Sequence, residues 1–342
     1  MCSSEKAALA AAEILRKGYG VEVEKALNPL VHSDFVVLCY RLNRGILRLV
    51  RPHEKATMDM VLQDLDVNWG SMSAISRSQV IETAKHRLLG LPALVISGLI
   101  VLLTERIGAL VEASRRQVVD RYDLAVPRVP GHEDIQSAST LVALQGLFVA
   151  EEYQRRADRL GAQAVAGVEA ALASGATGDD VTAQVSSAIK DNQRAWSDAY
   201  WGVMAAAVLG YARSSVEISA FSEAGVETYE FVSDLCGTVS DICLYMHGRR
   251  FSVERAAERL RQIEAAGDPD SFKRAHPWVI AGKSSDGKDI LYYQRGAEKV
   301  TVVESDSDGG RVSGLDTAQL EAAGLSIPPL HANCHSSICV VG

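Results

Sequence analysis

Two short clusters of cysteine and histidine hold the densest potential chemistry in the chain: Cys236-x6-Cys243-x3-His247 and His331-x2-Cys334-His335. Thiolate and imidazole are preferred zinc ligands, and spacings this short can close a tetrahedral site from two chain segments. The stretch from Leu244 to Leu330 would then be one large loop tied at its base. A clip on so long a loop removes much unfolded-state entropy. Cys236, Cys243, His331 and Cys334 can supply four ligands, with His247 and His335 as substitutes. Four protein ligands describe a closed, structural zinc site; a catalytic one keeps a position open and places a general base nearby. Asp234 and Asp241 lie close enough in sequence to serve as that base, but no catalytic residue is assigned. Neither cluster contains a strict CxxC pair, and six cysteines in 342 residues also fall near histidines by chance. Metal binding therefore stands beside simple proximity as a reading. The chain has neither a G-x-S-x-G nucleophile turn nor a phosphate-cradling glycine loop.

A second constellation is basic. Arg41, Arg44, Arg48 and Arg51 recur at steps of three, four and three, which puts four guanidiniums on one helix face. Such a stripe suits DNA phosphates; it also suits a solvated face paired with nearby acids. Glu304, Asp306 and Asp308 alternate before Gly309 in the manner of a calcium loop. Position twelve is Leu315 rather than glutamate, so a solvated hairpin turn is expected.

The elements that must position these residues divide the chain. Residues 5–121 are helical in pattern, with Ser3 or Ser4 as a cap, and residues 122–136 (YDLAVPRVPGHEDIQ) punctuate it with Pro127, Pro130 and Gly131. Helical periodicity resumes over 137–173. A turn follows with Thr177 or Asp179 as cap, then a helix near Val181 and another from Trp196 to Ala224, stopped by Gly225. Beyond it lie β-prone runs at Thr228–Val232, Ile290–Gln294 and Val300–Val303, and a helix over Val253–Ala266. The expected fold is mainly α: a helical N-terminal region, then a small α+β C-terminal domain closed by the Cys/His cluster. The expected divisions are 1–125, a linker at 126–136, a helical segment at 137–225, and 226–342.

Composition narrows the function classes. With 47% hydrophobic and 23% charged residues the chain is that of an ordinary folded protein. Its net charge of −8 gives no bulk attraction to nucleic acid, so DNA contact would need a local patch. The scattered cysteines suggest reduced thiols in a cytosol, and the N-terminus lacks the layout of a secretory signal. Leu88 to Leu103 is sixteen residues without a charge. That is short of the roughly 20 a spanning helix needs, and a buried bundle helix is the favoured reading over membrane insertion.

Residues 225–251 (GVETYEFVSDLCGTVSDICLYMHGRRF) and 328–341 (PPLHANCHSSICVV) together resemble the C-terminal domain of the phage head morphogenesis (Mu F-like minor capsid protein) family. Members have a Gly-Val leading into a short strand, an Asp and a Cys pair, and a His-Gly or Asp-Gly followed by Phe. After an insertion of variable length comes a PPxHxxCR-type motif. Asp241, Cys243, His247, Gly248 and Phe251 match the first block; Pro328, Pro329, His331, Asn333 and Cys334 match the second. There are departures. Ser240 stands where the family's first cysteine usually lies, with Cys236 a replacement from upstream. His335 stands for the closing arginine, and Cys339 follows. The resemblance covers about residues 165–342.

It implies a minor capsid or head morphogenesis protein of a tailed phage or prophage, in the virion head interior or the host cytoplasm. Such proteins bind portal, capsid or DNA during assembly, and oligomer formation is open. Relatives also carry toxin domains; Gly342 falls eight residues after Cys334, so none is expected beyond the motif. Two rivals remain: a metal-dependent hydrolase or nuclease using the cluster, and a membrane-associated effector built on Leu88–Leu103.

Overall fold

The computed structural model describes residues 27–176, 178–233, 239–305 and 311–341. The expected N-terminal cap at Ser3 or Ser4, Cys236, the Thr177 cap, and the acidic turn at Asp306 and Asp308 lie outside the described residues.

The fold is mainly α, with a small α+β region toward the C-terminus. Four long helices come first: α1 (His32–Asp64), α2 (Ala74–Tyr122), α3 (His132–Ala173) and α4 (Gly178–Glu223), with a 3₁₀ turn at Trp69–Ser71. α4 joins the two helices expected around Val181 and Trp196 into one, and Gly225, at φ +70°, follows its end as expected. The remaining elements are β1 (Thr228–Val232), α5 (Asp241–Met246), β2 (Arg250–Ser252), α6 (Val253–Glu264), α7 (Pro269–Ala275), β3 (Val279–Lys283), β4 (Asp289–Arg295), β5 (Glu298–Ser305), β6 (Arg311–Gly314), α8 (Thr317–Ala323) and β7 (Ser337–Val340).

The chain forms two compact units that are not successive segments. One comprises Met1–Asn43, Thr104–Leu144 and Gly202–Gly342; the other comprises Arg44–Leu103 and Gln145–Trp201. The division differs from the expected boundaries at 125, 136 and 225 because each long helix contributes residues to both units. Periodicity along a helix does not reveal where its packing partners change.

The all-helical unit is built on a core of Val61, Leu65, Trp69, Ile81, Leu88, Leu160, Val168, Val181, Val185 and Ile189. Pro52 and Pro92 sit inside α1 and α2, where each removes one backbone hydrogen bond. The helices continue because buried rows flank the prolines, Ile46, Val50 and Val61 on α1 and Leu88, Leu91, Val95, Leu99 and Leu103 on α2. α2 is long and apolar enough to cross a membrane by length and composition, with 33% of its most apolar window buried. Its opposite face carries Leu94 and Val101, 58% and 69% exposed.

The second unit holds two antiparallel sheets. β1 lies between β2 and β7, and the hairpin series β3-β4-β5-β6 forms the other sheet. β1 and β7 pair from Tyr229↔Val340 to Val232↔Ser337, which draws the end of the chain back against the start of the α+β region. Within the connecting stretch, Ser252 caps α6, whose Val253, Ala256, Leu260 and Ile263 form one buried face. A capping box at Asp316 and Gln319 starts α8. Gly324 ends it at φ +80°, where a Cβ would lie 2.6 Å from the Ala275 carbonyl oxygen, so the close approach requires glycine. β5 and β6 pair antiparallel, with Glu304 opposite Ser313.

Candidate metal centre

The β1–β7 pairing brings the two Cys/His segments together. Ser233 directly follows β1; Cys243 lies in α5, whose N-cap Ser240 accepts a hydrogen bond from the Cys243 N–H. His331, Cys334 and Ser336 lie just before β7, after a cis Pro328–Pro329 bond. The second segment is held by the Val279 N–H donating to the Leu330 carbonyl at 2.8 Å. His276 Nε2 contacts the Pro329 carbonyl at 2.9 Å. Pro329 also packs against Gly210, its ring atoms 3.6 Å from where a Cβ would be.

Cys243, His331 and Cys334 converge, with one ligand atom from each within 4.8 Å of the others. The two sulfurs are 3.8 Å apart, and Cys243 Sγ is 3.0 Å from His331 Nε2. Sulfurs on a tetrahedral zinc, each about 2.3 Å from the ion, lie roughly 3.8 Å from one another. The thiol pair thus has the separation that such an ion needs. His331 is also oriented for coordination. Its Nδ1 meets the Ala332 carbonyl at 2.6 Å, which fixes the proton there and leaves the Nε2 lone pair facing the sulfurs.

Electrostatics agree with a ligand set. The Cys243 thiol hydrogen-bonds Cys334 and holds it down to about 6, against the opposing effect of burial. Sharing that proton, together with burial, pushes Cys243 up to about 12. The pair therefore gives up one proton readily and holds the second, until a cation displaces it. Burial acts to lower the His331 pKa, and contact with Cys243 and the Ala332 carbonyl outweighs it, so the net direction is up.

A hydroxyl shell surrounds the thiols. Ser336 Oγ donates to Cys243 Sγ at 3.1 Å, Ser233 Oγ lies 2.9 Å from Ser336 Oγ, and Ser240 Oγ is 2.8 Å from His331 Nε2. The sequence signals neither Ser233 nor Ser336, because serine is common and the pair becomes meaningful only once 233 and 336 are adjacent. Arg213 was missed for the same reason. This fully buried arginine donates through Nη1 to the Pro29 carbonyl at 3.2 Å and through Nη2 to the carbonyls of His335 and Ser336. It stacks on Phe35 with its guanidinium carbon 3.7 Å from the ring centre.

Two expected ligands stand apart from the group. His247 is exposed, and its Nδ1 accepts the Ser233 N–H at 3.1 Å, so it serves as the C-cap of α5 rather than joining the sulfurs. His335 turns toward His32 and Phe35, ring centres 5.7 and 6.0 Å away, and burial lowers its pKa to about 4. The structure does not bring Asp241 into the group either.

The arginine stripe lies on α1 as the spacing predicts. Leu42, Ile46 and Val50 are buried, whereas Arg48 and Arg51 are exposed and Arg41 and Arg44 half-buried. Within the helical unit, Arg44, Arg48, Arg51 and Lys55 line a shallow recess, and Arg51 pairs with Asp198 at 3.0 Å. That pair is what a solvated face bonded to nearby acids would show. No family model, curated protein or solved structure matches the chain.

Proposed function

We propose that this chain is a minor capsid or head morphogenesis protein of a tailed phage or prophage, acting by binding portal, capsid or DNA during head assembly. The carrying observation is the convergence of Cys243, His331 and Cys334 from the two segments that bear the family-like motifs. The group lies where an α5 turn and the lead-in to β7 meet. It is partly sealed by serine hydroxyls, which suits a clip better than a substrate site. Zinc is the cation that two thiolates and an imidazole favour, and Cys236 is the candidate fourth ligand. The arginines of α1 are the surface for DNA, and the long helices are the surface for portal or capsid.

The rival reading, a zinc hydrolase or nuclease, is favoured by one observation: the described group has three protein ligands, the number that leaves a catalytic position open. Elemental analysis of the reduced protein, alongside Cys243→Ser with Cys334→Ser, separates the two. About one zinc per chain, lost together with cooperative unfolding of the α+β unit, supports the clip. Zinc lost while that unit stays folded supports the rival. Co-expression with the portal protein of the same phage or prophage tests the assembly role. Co-migration on size exclusion supports it, and separate elution counts against it.

A further inference from the structure

Outside the metal centre, the α+β unit contains a recess of about 290 Å³. Its charged lining comes from each neighbouring segment. Arg121 and Tyr122 come from the end of α2, and Arg213 and Glu217 from α4. His32 comes from the start of α1, and His335 and Cys339 from the C-terminal stretch. Arg121 is exposed, Tyr122 and Cys339 are half-buried, and Arg213 and Glu217 are 0% and 1% exposed.

The hydrogen-bonding account here does not close. Both terminal nitrogens of Arg213 are spent on carbonyls, but its Nε has no partner among the described residues, and neither does Glu217 Oε2. Buried polar atoms are normally satisfied, by protein, water or ligand. Arg213 and Glu217, one helical turn apart, both line this recess, and each keeps a buried polar atom without a partner among the described residues, which points to a site for something polar. Charge says which kind. Two arginines face one glutamate, and burial raises that glutamate to about 7 despite Arg213 and Arg121. The recess is therefore positive overall, and more so when Glu217 carries a proton.

We propose that this recess binds a small oxyanion, a carboxylate or phosphate group on a compact molecule. Arg121 meets the anion at the opening, and the Arg213 guanidinium and the protonated Glu217 carboxyl line the recess around it. This site is separate from the assembly role and stands whether or not that role holds.

Cys339 lines the recess and is accessible enough to report on it. In the full-length reduced protein, iodoacetamide labelling of Cys339 is followed by peptide mass mapping, with succinate, inorganic phosphate or chloride at matched ionic strength. Succinate or phosphate slows labelling saturably and chloride does not. Protection by succinate alone assigns a carboxylate ligand, and protection by phosphate alone assigns a phosphoryl one. Arg121→Gln weakens the protecting anion by about tenfold, the worth of a charged hydrogen bond, and Arg121→Lys restores part of it. At pH 8 Glu217→Gln strengthens binding, because a neutral amide replaces a carboxylate that repels the anion. Failure of both anions to protect, or equal protection in wild type, Arg121→Gln and Glu217→Gln, overturns the proposal and leaves bridging water as the content of the recess.

Discussion

Glu54 in the helical unit and Glu217 in the α+β unit are both glutamates on long helices among arginines and tyrosines, yet their surroundings differ. Glu54 Oε1 accepts from Tyr153 at 2.5 Å, Arg156 at 2.9 Å and Trp201 at 3.3 Å, and Oε2 accepts from Ser197 at 2.5 Å. Arg156 is further tied to Glu152 at 3.0 Å. Both carboxylate oxygens of Glu54 are thereby bonded by the fold itself. Glu217 is more deeply buried and has a charged neighbour in Arg213, but one of its oxygens has no partner among the described residues and its side chain borders a recess. Burial of a carboxylate is thus compatible with two roles. Saturated by its own chain, it specifies packing; left open onto a cavity, it is available to a ligand.

The contrast predicts opposite responses to mutation. Glu54→Ala leaves Arg156 with Glu152 alone and strands three neutral donors, and should cost about 3 kcal/mol in urea unfolding. Glu217→Gln at pH 8 should cost little or stabilise, since it removes a carboxylate whose charged form is disfavoured by burial. Equal losses at the two sites would break the comparison.

A smaller effect sharpens it. The native state holds the Glu217 proton up to about pH 7, whereas the unfolded chain releases it near 4.5. Over that window the native state binds more protons, so this residue makes stability fall as pH rises, by on the order of 3 kcal/mol at most, and level off above it. Denaturation midpoints of wild type and Glu217→Gln between pH 4.5 and 8 should therefore converge at the acid end and separate at the alkaline end. Parallel curves would mean that the carboxylate is better solvated than its position indicates. The smallest effect belongs to Arg51→Gln. Its pair with Asp198 is 55% and 44% exposed, so stability should change by no more than about 0.5 kcal/mol in moderate salt. A larger loss would show that exposed pairs carry weight comparable to the Glu54 network.

Much of the local architecture was legible from residue order. Strand β1 has the expected bounds, Thr228–Val232, because alternating β-prone residues follow a helix-ending glycine. The helix after Ser252 begins at Val253, where a serine cap meets an amphipathic run. Cys243, His331 and Cys334 were legible because thiols and imidazoles at short spacing are uncommon and chemically distinctive. His247 shares that chemistry, but it caps α5, a role set by backbone direction that spacing cannot reveal. β2, β3, β6 and β7 went unseen because each is too short to show a clear alternation, and β7 in addition takes its partner, β1, from far back in the chain.

Taken alone, the sequence determined what is local and periodic: helical character up to Gly225, the apolar run on α2, the arginine face of α1 and the thiols of the candidate metal group. Tertiary structure decided which groups lose water. Arg213 and Glu217 read on paper as an ordinary pair one turn apart on a helix surface. They become a buried, incompletely bonded pair only when α2, the start of α1 and the β7 strand close around them. Desolvation depends on everything within a few ångströms in space, and no spacing along one helix contains that information.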